Sequence, residues 1–491
     1  MSQNKPSSDW HTLDKDLGRI GQLEYAAQRV SRPLVGVGVA LAFVLVTGFV
    51  AALVIGTGPA QLTVVAAAVL GAYMALNIGA NDVANNMGPA VGARALSMTG
   101  AIIIAAVCES AGALLAGGDV VSTISKDIVS PESIADTQVF IWAMMAALLS
   151  SALWVNLATW LGAPVSTTHA VVGGVLGAGI AAAGFGAVNW ATMSAIAASW
   201  VISPFLGGVI AAAILAFIKA KVIYRDDKIA AAQVWVPVLI GLMVGTFATY
   251  LAMKGLRRVV SVSLEVSLLI GAGLGLLSWL ASIPLVRRQS RGMENRNKSL
   301  KALFSVPLVF SAALLSFAHG ANDVANAVGP LAAIVHAGSV GDSGTVVAIP
   351  HWVMVIGAFG ISFGLILFGP RLIKVVGSQI TKLNPMRAYC VALSAAVTVI
   401  LASWLGLPVS STHIAVGAVF GVGFYREWYM ERRRPGRTNP DEVRVAREER
   451  RRRKLVRRSH FLTIVAAWVI TVPAAATMSA VVFLALSSVF G

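Results

Sequence analysis

The chain has 491 residues, 57% of them hydrophobic and only 12% charged, with 38 Lys and Arg against 22 Asp and Glu. Soluble domains carry about 25% charged residues, so this composition excludes an ordinary water-soluble fold and points to a chain surrounded mostly by lipid. The formal net charge of +16 does not indicate nucleic acid, because the basic residues gather in short connecting segments, the pattern of positive charge kept on the cytoplasmic side of a membrane.

Residues 1–35 are polar and mixed in charge, and read as a cytoplasmic N-terminal extension without a cleavable signal. A first transmembrane half, 36–286, contains apolar stretches near 36–57, 60–80, 97–117, 137–160, 163–186, 190–219, 232–253 and 262–286. The linker 287–302 carries Arg287, Arg288, Arg291, Arg296, Lys298 and Lys301 and is expected in the cytoplasm. A second half, 303–425, has stretches near 303–320, 350–370, 388–403 and 407–424. A basic cytoplasmic loop, 426–460, follows, and 461–491 forms a C-terminal transmembrane helix. Crossing the hydrocarbon core takes about twenty helical residues, so the shortest stretches are candidate half-helices or re-entrant pieces. Within the basic loop, Pro435, Gly436 and Pro440 predict an irregular start, and the alternating charges from Glu442 to Arg450 suit a short surface helix. Counting crossings from the basic anchors puts the N-terminus inside and Gly491 outside, with Lys254, Arg257 and Arg258 as outward-facing exceptions. Cys108 and Cys390 lie in apolar segments with no Cys or His at metal spacing, so neither a disulfide framework nor a cysteine metal site is expected.

Two polar strings occur twice, in the same order. The string at 79–89, which contains Asn81, Asp82, Asn85 and Asn86, returns at 320–330 with Asn322, Asp323 and Asn326. The string at 162–169, with Pro164, Ser166, Thr167, Thr168 and His169, returns at 406–413 with Pro408, Ser410, Ser411, Thr412 and His413. Ordered duplication of two independent strings implies two related halves. The chain enters the first copy from outside to inside and the second from inside to outside, so the repeats are predicted to be inverted, an arrangement frequent in secondary transporters. The expected fold is therefore an all-α polytopic membrane protein with two inverted-topology repeats and broken or re-entrant helices.

Asp82 and Asp323 stand at the ends of apolar segments, where an uncompensated carboxylate costs about 2.5–3.5 kcal/mol. Each is expected to meet a cation, a proton or a hydrogen-bond donor. Asp and Asn at i and i+3 share a helix face and supply hard oxygens for a small cation, with amide donors left for an anion. Glycines and prolines around them predict broken helices, whose free N–H groups suit an oxyanion and whose free carbonyls suit Na+. Asn81, Asn85, Asn322 and Asn326 also suit simple helix caps. The hydroxyl strings follow prolines expected at a first helical position, so Ser166 and Ser410 can be N-caps, while the array of Ser166, Thr167, Thr168, Ser410, Ser411 and Thr412 offers neutral donors to a tetrahedral anion. His169 and His413 suit an orienting hydrogen bond more readily than proton coupling. Glu109 is a third acid in an apolar segment, without a counterpart in the second half, and is a candidate for cation coordination or proton carriage. Lys126 and Asp127 read as ordinary surface charge, and Gly173, Gly174 and Gly177 as a site of close helix packing.

The paired strings resemble the signature of the inorganic phosphate transporter family, the sodium- or proton-coupled phosphate permeases, over most of 60–425. The resemblance implies a transporter and not an enzyme, located in the cell inner membrane and commonly dimeric, moving phosphate by symport with H+ or Na+ and needing no other cofactor. It assigns phosphate binding to Asn85, Asn326, Ser166, Thr167, Thr168, Ser410, Ser411 and Thr412. Cation or proton coupling falls to Asp82, Asp323, Asn81, Asn322 and Glu109, with Asp82, Asn85, Asp323 and Asn326 as ligands if the metal is sodium. Phosphate would travel as the ion or as a neutral complex with a divalent metal. A sulfate permease of the same fold and a non-transporting membrane scaffold or receptor stand as alternatives, since one oxyanion site can serve another.

Overall fold

The structure, a computed structural model, describes residues 35–57, 61–134, 136–161, 165–255, 262–340, 349–376, 383–432 and 458–490. Among these it is all helical apart from an isolated antiparallel bridge between Val129 and Val188. The long helices are α1 (Val35–Ile55), α2 (Gln61–Asn81), α4 (Met98–Ala116), α6 (Thr137–Leu161), α8 (Trp190–Ile218), α9 (Lys228–Lys254) and α10 (Leu264–Gln289) in the first half. The second half contributes α12 (Ser305–Asp323), α14 (His351–Val375), α15 (Pro385–Trp404), α16 (Ser411–Arg432) and α17 (Arg458–Phe490). Shorter pieces are α3 (Val83–Gly92), α5 (Gly118–Ser122), α7 (Thr167–Ala183), α11 (Asn297–Leu303) and α13 (Ala325–Val340).

Eleven helical runs among the described residues are long and apolar enough to cross a membrane, which makes the chain a multi-pass membrane protein. Their outward faces carry Leu45, Trp160 and Leu269, each more than two-thirds exposed, as expected where the neighbour is lipid. Local signals set the starts: Ser97, Asn189, Asp227, Ser263 and Asn384 each accept a backbone N–H from the first turn of the helix they precede.

Three expectations change. The stretches near 60–80 and 303–320 do not end at their aspartates: helix resumes directly, and the apolar runs extend over Gln61–Gly92 and Ser305–Gly338. Asp82 and Asp323 therefore sit at or beside breaks inside these runs, because the turn at Asp82 or Val324 interrupts the helix for a single residue. The stretch near 163–186 shrinks to the 17-residue α7, and the 22-residue α16 is long enough to cross but is not among the eleven runs that are also apolar enough, whereas 388–403 grows to the full 20-residue α15. Finally, residues 426–432 continue α16 as helix, and so do not begin the loop. Gly162, Ala163, Pro164, Arg257, Arg258 and the alternating charges of the basic loop lie outside the described residues.

The main packing contacts come in matching pairs. Helix α14 lies on α2 and α12 on α4; α16 lies on α8 and α17 on α7; α6 meets α7 as α15 meets α16. The duplicated glycines explain the first of these. A Cβ on Gly79 would stand 1.9 Å from the Ile361 carbonyl oxygen, and a Cβ on Gly320 would stand 2.1 Å from that of Glu109, so only glycine lets each helix pair touch backbone to backbone. Gly173 and Gly177 serve the same purpose against Val472 and Ala476. Near the crossing, the Ser110 and Ser362 hydroxyls meet at 2.8 Å. Helices α9 and α10 form a hairpin beside this paired core.

Candidate functional site

The helix breaks and the hydroxyl strings face each other in the middle of the paired core. Asn81 and Asn322 fix the separation locally. Asn81 donates to the Val165 carbonyl at 3.1 Å and to Asp82 Oδ1 at 2.9 Å. Asn322 donates to the Leu407 carbonyl at 3.1 Å and to Ser403 Oγ at 2.9 Å, and accepts the Val409 N–H at 3.1 Å. Both side chains thus tie a break to the loop that leads into a hydroxyl string. Ser166 and Ser410 cap α7 and α16, accepting from the His169 and His413 N–H groups. Pro408 is not at the first helical position; Val409 and Ser410 separate it from the start of α16, and Ser410 occupies the cap.

The remaining string residues cross between halves. Asn85 donates to Thr412 Oγ1 at 2.8 Å, and Asn326 donates to Thr168 Oγ1 at 3.1 Å and Thr167 Oγ1 at 3.3 Å. Thr167 donates to Asp82 Oδ2 at 2.6 Å, and Thr412 stands 3.5 Å from Asp82 Oδ1. Asp323 is held differently: its Oδ2 lies 2.9 Å from His319 Nε2, while His319 Nδ1 lies 2.5 Å from Glu109 Oε2. Asn86 completes this chain by donating to Glu109 Oε1 at 2.9 Å. Glu109, His319, Asp82 and Asp323 are all buried.

Ligand atoms of Asp82, His319 and Asp323 lie within 4.8 Å of one another. Two carboxylates and an imidazole so close together, away from water, are placed to share a cation or a proton. Asp323 Oδ1, Asn326 Oδ1 and Ser411 Oγ are buried with no hydrogen-bond partner among the described residues. Carboxylate, amide and hydroxyl oxygens of this kind are hard donors that suit a small hard cation. No lysine or arginine takes part in these contacts, so an anion here would meet hydroxyls, amides and a cation.

The structure therefore brings together Asp82, Asp323, Asn85, Asn326, Thr167, Thr168 and Thr412, with Ser411 buried directly before Thr412. Ser166, Ser410, Asn81 and Asn322 form the frame around them, and Glu109 joins through His319. Sequence reasoning missed His319. The available signal was its place directly before Gly320, where the first copy has Ile78, combined with an apolar neighbourhood that already held Glu109. Lys126 and Asp127 are half-buried on a π-helical turn, and so are not ordinary surface charges. His169 and His413 pack edge to face with ring centroids 4.5 Å apart, and His169 also packs on Trp200 at 3.9 Å.

A multi-pass helical membrane protein with a buried polar and acidic site at paired helix breaks is built like a transporter. The family model described as the phosphate transporter family matches residues 78–479, and the chain belongs to that family, whose members are transporters and not enzymes. A Helicobacter pylori protein described as a phosphate permease is 53% identical over 423 residues, covering 85% of this chain and 79% of the relative. A Pyrococcus abyssi phosphate permease is 36% identical over 416 residues, covering 84% and 96%. A solved structure described as the sodium-dependent phosphate transporter superposes with a TM-score of 0.79 at 35% identity, covering 87% of this chain and all of that one.

Proposed function

We propose that this chain is a secondary active symporter that moves inorganic phosphate across the cell inner membrane, with the anion held between its two halves. The observation that carries this reading is the cross-over of Asn85 to Thr412 and Asn326 to Thr168 beside the Asp82–Asp323 pair. Phosphate has both donor and acceptor oxygens, so hydroxyls can match either protonation form and carboxylates can accept from P–OH. Neutral donors also release an anion more readily than an arginine clamp.

The matching helix pairs support inverted repeats, with Gly79–Ile361 and Gly320–Glu109 as equivalent contacts. The 17 residues of α7 support a re-entrant or half-length element in the first half, and rocking between two similar packings would open the site alternately to each side. For the coupling ion we favour H+, because the Glu109–His319–Asp323 chain can hold and relay protons at one acid of the pair. Sodium at Asp82, Asn85, Asp323 and Asn326 is the alternative, favoured by the unpaired Asp323 and Asn326 oxygens. Carriage of phosphate with a divalent metal and homodimer formation complete the proposal on the strength of the family resemblance, and a cytoplasmic N-terminus on the count of crossings from the basic segments.

Uptake of labelled phosphate into proteoliposomes under separate proton and sodium gradients tests it. Gradient-driven phosphate accumulation that excess sulfate does not suppress is the expected result. Accumulation of sulfate in preference to phosphate, or binding without transport, would overturn it.

A further inference from the structure

Two large apolar grooves open on the lipid-facing surface. One, about 790 Å³, runs past α9, α10 and α15; Lys254, next to its wall residue Met253, is ion-paired with Asp119. The other, about 830 Å³, lies between α8 and α16 and is walled by Phe205, Val209, Phe424 and Trp428. Its floor is flat because Gly208 and Gly421 bring the two backbones into contact, a Cβ on Gly421 falling 2.0 Å from the Gly208 carbonyl oxygen. At a rise of about 1.5 Å per residue, the lining of α8 from Trp200 to Ala212 extends about 18 Å, room for much of an acyl chain.

One end of this groove is cationic. Tyr425 lines it, and the Lys219 ammonium sits over the rings of Tyr425 and Tyr429 at 4.8 and 4.2 Å. Lys221 sits over Trp235 at 5.5 Å, and Tyr224 stacks on Tyr429 at 5.4 Å. Ring faces hold an ammonium in place, and Tyr and Trp rings of this kind belong at the head-group level of a membrane. Asp227, further along the same turn, caps α9 through Ala230 N–H.

We propose that the α8–α16 groove binds an anionic phospholipid, its acyl chain lying on the glycine floor and its phosphate at Lys219 and Lys221. At the far end, Trp200 lines the groove, packs on His169 and donates its indole N–H to the Pro408 carbonyl at 3.1 Å. The bound lipid thereby braces the turn that presents Ser410 to Thr412.

The test is native mass spectrometry of the full-length protein released from mixed vesicles of phosphatidylglycerol and phosphatidylcholine. Wild type is expected to retain phosphatidylglycerol in clear excess. Lys219→Gln with Lys221→Gln should lower that preference about thirty-fold, the effect of two basic side chains at an anionic lipid surface, while Lys219→Arg with Lys221→Arg should keep it. Arg287→Gln with Arg288→Gln removes equal charge elsewhere and should change nothing. Equal retention of both lipids by wild type, preference surviving in the double Gln variant, or an equal loss in the Arg287/Arg288 variant would each overturn the proposal.

Discussion

Asn85, near the start of α3, donates its side-chain amide to the hydroxyl of Thr412 in α16 at 2.8 Å, joining the two halves of the chain across 327 positions. Its counterpart Asn326 does the same to Thr168. Bonds between neutral groups are worth about 0.5–1.5 kcal/mol each in net terms, so an entering anion can replace them at small cost. The interface that holds the halves together is thus also where a substrate would insert.

Asp82→Asn and Asp323→Asn should each reduce net uptake to background, since each removes a charge that the coupled cation or proton neutralises in a site closed to water. The measurement is gradient-driven uptake by variants that elute as wild type in size-exclusion chromatography. Near-normal uptake in both would reduce the aspartates to structural elements.

Thr168→Ala and Thr412→Ala should raise the phosphate concentration for half-maximal uptake by about ten- to a hundred-fold, the range for a lost hydrogen bond to a charged ligand. Replacement by Ser keeps the donor and should be milder. If Ala and Ser variants behave alike, the hydroxyls do not touch the anion.

Glu109→Gln and His319→Gln should flatten the response of uptake to pH, because each removes a titratable link of a buried three-residue chain. The Glu109–His319–Asp323 contacts supply the reason. Unchanged pH profiles with lowered rates would leave these residues a packing role only.

Cysteines introduced at Arg94 and Ser339, each downstream of its own copy of the Asn-Asp string, should react with membrane-impermeant reagent from opposite faces. Labelling from one face would contradict inversion and the placing of the N-terminus inside.

Much of the site was legible because polar residues are expensive in apolar sequence, so Asp82, Asp323 and the hydroxyl strings stood out twice. His319 escaped because the repeat drew attention to matching positions, and its own position matches Ile78. Glu109 was visible as a lone acid, but its partner lies 210 positions away, a distance that periodicity cannot bridge. Helix ends were misjudged at Asp82 and Asp323 for a physical reason: a one-residue turn interrupts the helix without ending it, and hydropathy falls at the polar string whether or not the helix resumes. Pro408 misled for a related reason, since Ser410 takes the cap.

The most direct measurement is a structure with phosphate bound, at a resolution that assigns its ligands. The account predicts the anion between the halves, contacted by Thr168, Ser411 and Thr412 with Asn85 and Asn326, and a cation or proton at Asp82 and Asp323. Phosphate held by a lysine or arginine pair, with these hydroxyls turned away, would contradict it.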